Sequence, residues 1–252
     1  LLPELFAAWD DVGSYDVLVP YVGDAALAQA VEALRAWDGA MDPDSYAALV
    51  YKLWSVRLTR DVVGDELGFL FEPIDSEKPA TTIKYMLLAF ERDDDALLDG
   101  DRRVLSLEAL RQALAVITAR GLSVLGDLHQ TRYIALDDTL EYAPRAGGDS
   151  TVNVAESRCW ADGELAERCE APSGAVYRTI TTFREDGWPE TRFNWPRGNA
   201  GEPGDWDEGV YRRWWFAPGE VEAHAVSEYT LEPDPRALTP RTRARNGRRA
   251  RS

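Results

Sequence analysis

Apolar positions recur through the first half of the chain with the period of a helix. Leu27, Val31, Leu34 and Trp37 follow the i, i+4, i+7, i+10 spacing, so residues 25–37 predict an amphipathic helix. Asp38-Gly39 stops it, because glycine adopts the left-handed conformation at a helix end without steric cost. Asp42 then reads as the N-cap of a second helix. Pro43 and Asp44 fall in its first turn, where a missing N–H is harmless and an acid meets the positive end of the helix dipole. Tyr46, Leu49, Val50, Leu53 and Trp54 share the apolar stripe of that helix, which gives a helical hairpin over residues 25–60. Residues 80–91 predict another helix, and Asp93 to Asp101 an acidic connection. A further helix carries Leu107, Leu110, Leu114 and Ile117 on one face, capped by Ser106 and ended by Gly121 after Arg120.

The period changes after residue 121. "TVNVA" (151–155) and "AVYRTITTFRED" (175–186) are rich in β-branched and aromatic residues and predict strands. Asp186-Gly187 is a hairpin-turn signal leading into "WPETRFNW". Residues 156–174 read as a loop or irregular hairpin. "GNAGEPG" (198–204) reads as a glycine-rich loop, "VYRRWWF" as a short aromatic helix, and the second half of "VEAHAVSEYTLEP" as a strand. Helices come first (25–121) and strands second (122–234), which predicts an α+β fold with segregated elements. At 252 residues and 45% hydrophobic, the chain sustains one large domain with a proper core. No run of 18 apolar residues predicts a membrane-spanning helix. The chain opens on Leu1 with no initiator Met or signal peptide, and so reads as a processed chain or a piece of something longer.

Charge narrows the partners. The formal net charge is −16, yet the tail "RALTPRTRARNGRRARS" holds seven arginines and no acid; taking those seven away from −16 leaves −23 for residues 1–235. Such a body repels nucleic acid and anionic membranes, and its scarcity of lysine (Lys52, Lys78 and Lys84 only) fits adaptation to high salt. Residues 235–252 read as a disordered, Arg-rich tail after a domain spanning 1–234.

Self-contained catalytic signatures are missing: there is no G-x-S-x-G, no P-loop and no H-E-x-x-H. His129, in "GDLHQ" (126–130), lies at a predicted helix-to-strand transition. It reads either as a base oriented by Asp127 or, preferably, as a structural histidine bonded to backbone. His224 has no acid–base context. Asp38, Asp42 and Asp44 could together offer oxygen ligands to a metal, but their capping roles account for them better. Cys159 and Cys169 are either a local disulfide or two free thiols. The late group Trp188, Trp195, Trp206, Trp214 and Trp215 reads as buried aromatics at a sheet–helix junction. The alternative is a non-catalytic binding module that uses these rings as a platform for peptide or carbohydrate.

Several segments in order resemble the penicillin acylase family. "EALRAWDGAMDPDSYAALVYKLW" (32–54) is similar to a β-chain segment in which a helix ends in Trp-Asp-Gly and an acidic turn opens a second helix with a Ser at its start. "EALRQALAVITARGLSVLGDLHQTRYI" (108–134) is similar to a later helix followed by Gly-Asp-x-His. "GGDSTVNVA" (147–155) resembles the Gly-Asp-x-x-Thr-Val-Asn strand entry, and "SGAVYRTITTF" (173–183) the next strand. "GNAGEPGDWDEG" (198–209) resembles the family's glycine-rich loop, although Asp205-Trp206 replaces the usual Ser-Pro-His. "WWFAPGEVEAHAVSEYTLEP" (214–233) fits the closing segment, while the usual His-Pro after "GDLHQTRYI" is absent.

The resemblance implies part of an αββα N-terminal nucleophile hydrolase sandwich. It also implies hydrolysis of the amide bond of N-acylated substrates of β-lactam or acyl-homoserine-lactone type. In that family the nucleophile is the N-terminal Ser of the β chain, with its own α-amine as base and an Asn in the oxyanion hole. Those groups, and the ligands of the family's calcium, would all lie upstream of Leu1. No catalytic, cofactor-binding or metal-binding residue is therefore assigned here, and this chain alone is expected to be inactive. The implied partners are the upstream part of the same β chain, an α chain and a small-molecule amide, with no nucleic acid and no membrane. Relatives are often exported, which leaves the compartment open.

Overall fold

The computed structural model describes residues 1–94, 96–134, 140–149, 155–171, 178–183 and 189–194. The molecule is α+β, with helices first and a small mixed sheet after them. Helix starts much earlier than residue 25: α1 spans Leu2–Asp10, and a 3-10 helix follows at Asp16–Tyr21. The predicted hairpin is α2 (Ala25–Ala36) and α3 (Tyr46–Leu67). Beyond a 3-10 turn at Gly68–Leu70 come α4 (Phe71–Glu77), α5 (Pro79–Arg92), α6 (Arg102–Arg120) and the single turn α7 (Leu125–Leu128).

Two caps differ from the sequence expectation. Asp42 does not cap α3. Its carbonyl accepts the Ser45 N–H at 3.1 Å, so Asp42-Pro43 forms the first half of a tight turn, the two residues such turns favour there. Ser45 takes the capping position instead, with its hydroxyl accepting from Ala48 N at 3.1 Å. For α6 the cap is Asp101 rather than Ser106. Its carboxylate accepts the Arg103 N–H at 2.9 Å and also holds the Arg103 guanidinium, which adds one turn ahead of the apolar stripe. Gly121 ends α6 in the left-handed conformation (φ 63°), as its position predicts.

Helix α3 is the axis of the helical layer. It is buried on nearly every side, from Ala48 to Gly64, because α2, α5, α6 and α7 all pack on it. Trp54 is fully buried and donates its indole N–H to the Ser106 carbonyl at 3.0 Å, which fixes α3 against α6. The α2–α3 link is stitched through its backbone. Alternate carbonyls of Met41, Pro43 and Ser45 accept the N–H groups of Gly147, Gly126 and Leu125 at 3.0, 2.7 and 3.1 Å.

The sheet has the order β2-β1-β4-β3. β1 (His129–Ile134) pairs antiparallel with β2 (Leu140–Pro144) and parallel with β4 (Glu164–Glu170), which turns back on β3 (Arg158–Ala161). Residues 158–170, expected as a loop or irregular hairpin, are thus a hairpin with a register shift between Arg158 and Trp160. Asp162 and Gly163 both have positive φ at its tip, the two-residue turn that matches strand twist. Glu72 of α4 accepts both of their N–H groups at 3.0 and 2.8 Å. A disulfide joins Cys159 to Cys169 across this hairpin.

A second unit holds the hairpin of β5 (Arg178–Phe183) and β6 (Pro189–Asn194), paired antiparallel from Arg178↔Asn194 to Phe183↔Pro189, as the sequence predicts. All but Ala155 of the expected strand at 151–155, the Asp186-Gly187 turn, His224, the five late tryptophans, the glycine-rich loop and the Arg-rich tail lie outside the described residues. Among the described residues no helix is long and apolar enough to cross a membrane.

Candidate functional site

A cavity of about 460 Å³ opens in the first unit beside α3. Its apolar walls come from Leu1 and Leu2 at the start of α1, Trp37 and Met41 from the α2–α3 link, and Ile83 and Leu87 of α5. Its polar groups are Tyr51 and Ser55 of α3, together with Asp149. Trp37 packs on Tyr51 with ring centroids 5.1 Å apart and donates its indole N–H to the Ala40 carbonyl at 2.8 Å. Ser55 is turned back on its own helix, donating to the Lys52 carbonyl at 2.9 Å. Tyr51 has its phenol pushed up, first by burial and then by the negative charge of Asp149.

Asp149 connects the cavity to a buried polar knot. Its Oδ2 pairs with the Lys52 ammonium, and both side chains are almost fully buried, at 6% and 3% exposed. Its Oδ1 accepts the Ser157 N–H at 2.9 Å. Lys52 projects from a helix buried on nearly every side, where an ammonium without a partner carries a large desolvation cost. The pair therefore fixes the Gly148–Asp149 turn to α3, and with it one wall of the cavity.

His129 lies behind this pair, fully buried at the start of β1. Its Nδ1 is 2.7 Å from the Arg145 carbonyl and its Nε2 3.3 Å from the Ala155 carbonyl. Burial, and next the Lys52 ammonium, push the imidazole down to about 4, against the pull of the carbonyls and Asp149. It is neutral at pH 7 with a single N–H, which we place on Nδ1 because that contact is shorter. With both nitrogens on main-chain carbonyls, this histidine ties the start of β1 to the backbone at Arg145 and Ala155. Asp127 does not orient it either: that carboxylate accepts the N–H groups of Ser123 and Val124 at 2.7 and 3.1 Å.

The three aspartates of the α2–α3 link are not gathered. Asp38 accepts the Ala40 N–H at 2.9 Å, an Asx turn, and Ser45 has displaced Asp42 as the cap. Among the described residues no group of three or more His, Cys, Asp or Glu is arranged to hold a metal ion.

Sequence reading missed Lys52, Tyr51 and Asp149. The available signal was a lysine in the middle of an apolar helix in a chain with only three lysines. Its partner was not legible, because Asp149 lies 97 residues away.

This arrangement can be set beside known proteins. The family model described as penicillin amidase matches residues 1–223. The chain belongs to the penicillin amidase family. No curated protein matches the chain. Membership gives the cavity, the buried pair and the mixed sheet a setting within an amidohydrolase of the penicillin acylase kind. In this family member the described residues around Gly-Asp-x-His do structural work: His129 bonds to the Arg145 and Ala155 carbonyls, and Asp149 to Lys52 of α3 and to the Ser157 N–H.

Proposed function

We infer that this chain is the C-terminal part of the β chain of a penicillin-acylase-like amidohydrolase that cleaves the amide bond of N-acylated substrates of β-lactam or acyl-homoserine-lactone type. The family match over residues 1–223 carries this reading. The nucleophilic Ser, its α-amine base and the oxyanion donors belong to an upstream part of the same β chain, which pairs with an α chain. This chain's contribution is architectural: α3 and its neighbours form a helical layer, and the strands join an αββα N-terminal nucleophile sandwich. Supporting that role, the only histidine among the described residues is locked between carbonyls and does not face a hydroxyl or thiol.

The test is hydrolysis of a chromogenic phenylacetyl or fatty-acyl amide. The isolated chain should show none above buffer. Co-expression with an upstream segment beginning at a Ser should give activity that is lost when that Ser becomes Ala. Hydrolysis by the isolated chain would overturn this assignment.

A further inference from the structure

The polar side chains that line the cavity beside α3 are already engaged within the protein. Ser55 donates to the Lys52 carbonyl, and Trp37 donates its indole N–H to the Ala40 carbonyl. Asp149 is only 6% exposed, with one carboxylate oxygen on the Lys52 ammonium and the other on the Ser157 N–H. Tyr51 is the exception, since its hydroxyl makes no hydrogen bond to a described residue. Burial raises its phenol, so it is uncharged at neutral pH. Its ring is fixed between Trp37 and Trp54, with centroids 5.1 and 6.1 Å away. The rest of the wall includes Leu2, Met41, Ile83 and Leu87, which carry no hydrogen-bonding side chain.

Such a wall holds water poorly. A well-ordered buried water makes about three hydrogen bonds, and these side chains leave one uncommitted partner. They also leave no unpaired charge, so an ammonium or carboxylate entering the cavity gives up its hydration without a counter-ion in return. An uncharged apolar molecule gives up nothing of that kind, and it exchanges loosely held water for contact with the wall. A volume of about 460 Å³ lies within the range of small-molecule sites. We propose that this cavity is a binding site for a small uncharged apolar compound, an aromatic ring or a short branched alkyl group, held between Trp37, Met41, Ile83 and Leu87. The same walls discriminate by charge, rejecting ions of either sign. This inference rests on the cavity and does not depend on the amidohydrolase reading.

The experiment titrates the 252-residue chain by calorimetry with three probes of similar size: ethylbenzene, benzylammonium and benzoate. Ethylbenzene should bind about tenfold or more tightly than either ion, and with a negative heat-capacity change, the mark of apolar burial. Leu87→Trp, at a half-exposed wall position, and Ile83→Trp, at a half-buried one, put an indole into the cavity and should each abolish that binding. Circular dichroism of both variants should match the parent; either one that keeps its spectrum suffices for the test. Phe69→Ala removes a ring that is 89% exposed and outside the cavity wall, and should leave binding unchanged. No binding of ethylbenzene, equal binding of an ion, binding that survives in a folded wall variant, or binding lost with Phe69 would each overturn the proposal.

Discussion

His129 carries a pH dependence whose sign follows from its surroundings. In the fold its imidazole is held down to about 4, whereas the unfolded chain protonates it near 6.5. Its contribution to stability is therefore complete above pH 6.5 and is lost as pH falls towards 4, amounting to about 3 kcal/mol at most. Asp61 and Asp75, whose carboxyls burial pushes up, work in the opposite direction, because the folded protein takes up their protons first. The comparison must be with His129→Asn. Urea unfolding at pH 7 and pH 4.5 should show the parent losing on the order of 2–3 kcal/mol more than the variant; equal losses would refute the assignment. The Lys52–Asp149 pair behaves differently. Lys52→Ala strands a buried carboxylate and should cost about 3–5 kcal/mol, whereas Lys52→Met with Asp149→Asn should recover most of that loss. Two equally damaging variants would mean that the pair's shape, and not its charge, is what matters.

At the scale of elements, the hairpin β3–β4 is held three times: by the ladder itself, by the Cys159–Cys169 disulfide and by Glu72 gripping the turn at Asp162-Gly163. Its cysteines are ten residues apart, so opening the bridge frees only a short loop. Cys159→Ala with Cys169→Ala should lower stability by about 2–3 kcal/mol in urea titrations, and reduction of the parent should match it. A loss near zero would show that the ladder and Glu72 suffice. The helices α2, α3, α5 and α6 were legible because each buries one or more apolar stripes at helical spacing. The β5–β6 pair was legible from its β-branched content and turn residues. Helix α1 was not, since "LPELFAAWD" is too short to show a period by itself. The caps went to Ser45 and Asp101 because several polar residues compete near each helix start, and tertiary packing selects among them. Of the site, only His129 stood out in the sequence. The Lys52–Asp149 pair and the cavity wall it fixes are long-range, and no local pattern encodes them.

Across the whole molecule, the net charge of −16 sets up long-range self-repulsion. The ion pairs described are mostly exposed, among them Arg35–Asp10 and Arg111–Glu108, and contribute little individually. Self-repulsion should thus be relieved by added electrolyte. Raising KCl from about 0.05 to 1 M should increase Tm on the order of 5 °C, equivalent to about 1–2 kcal/mol for a chain of this size. A falling Tm over that range would argue that the surface pairs outweigh the repulsion. The α2–α3 link sets a different constraint. The carbonyls of Met41, Pro43 and Ser45 each accept a different N–H, from Gly147, Gly126 and Leu125, so the placing of these acceptors is tied to the length of the link. One inserted or deleted residue would turn that row of acceptors away from Gly147, Gly126 and Leu125, whereas new side chains at Asp42 or Asp44 leave it in place. Across family members this linker should therefore vary in spelling while keeping its length, the reverse of what is expected of a surface loop.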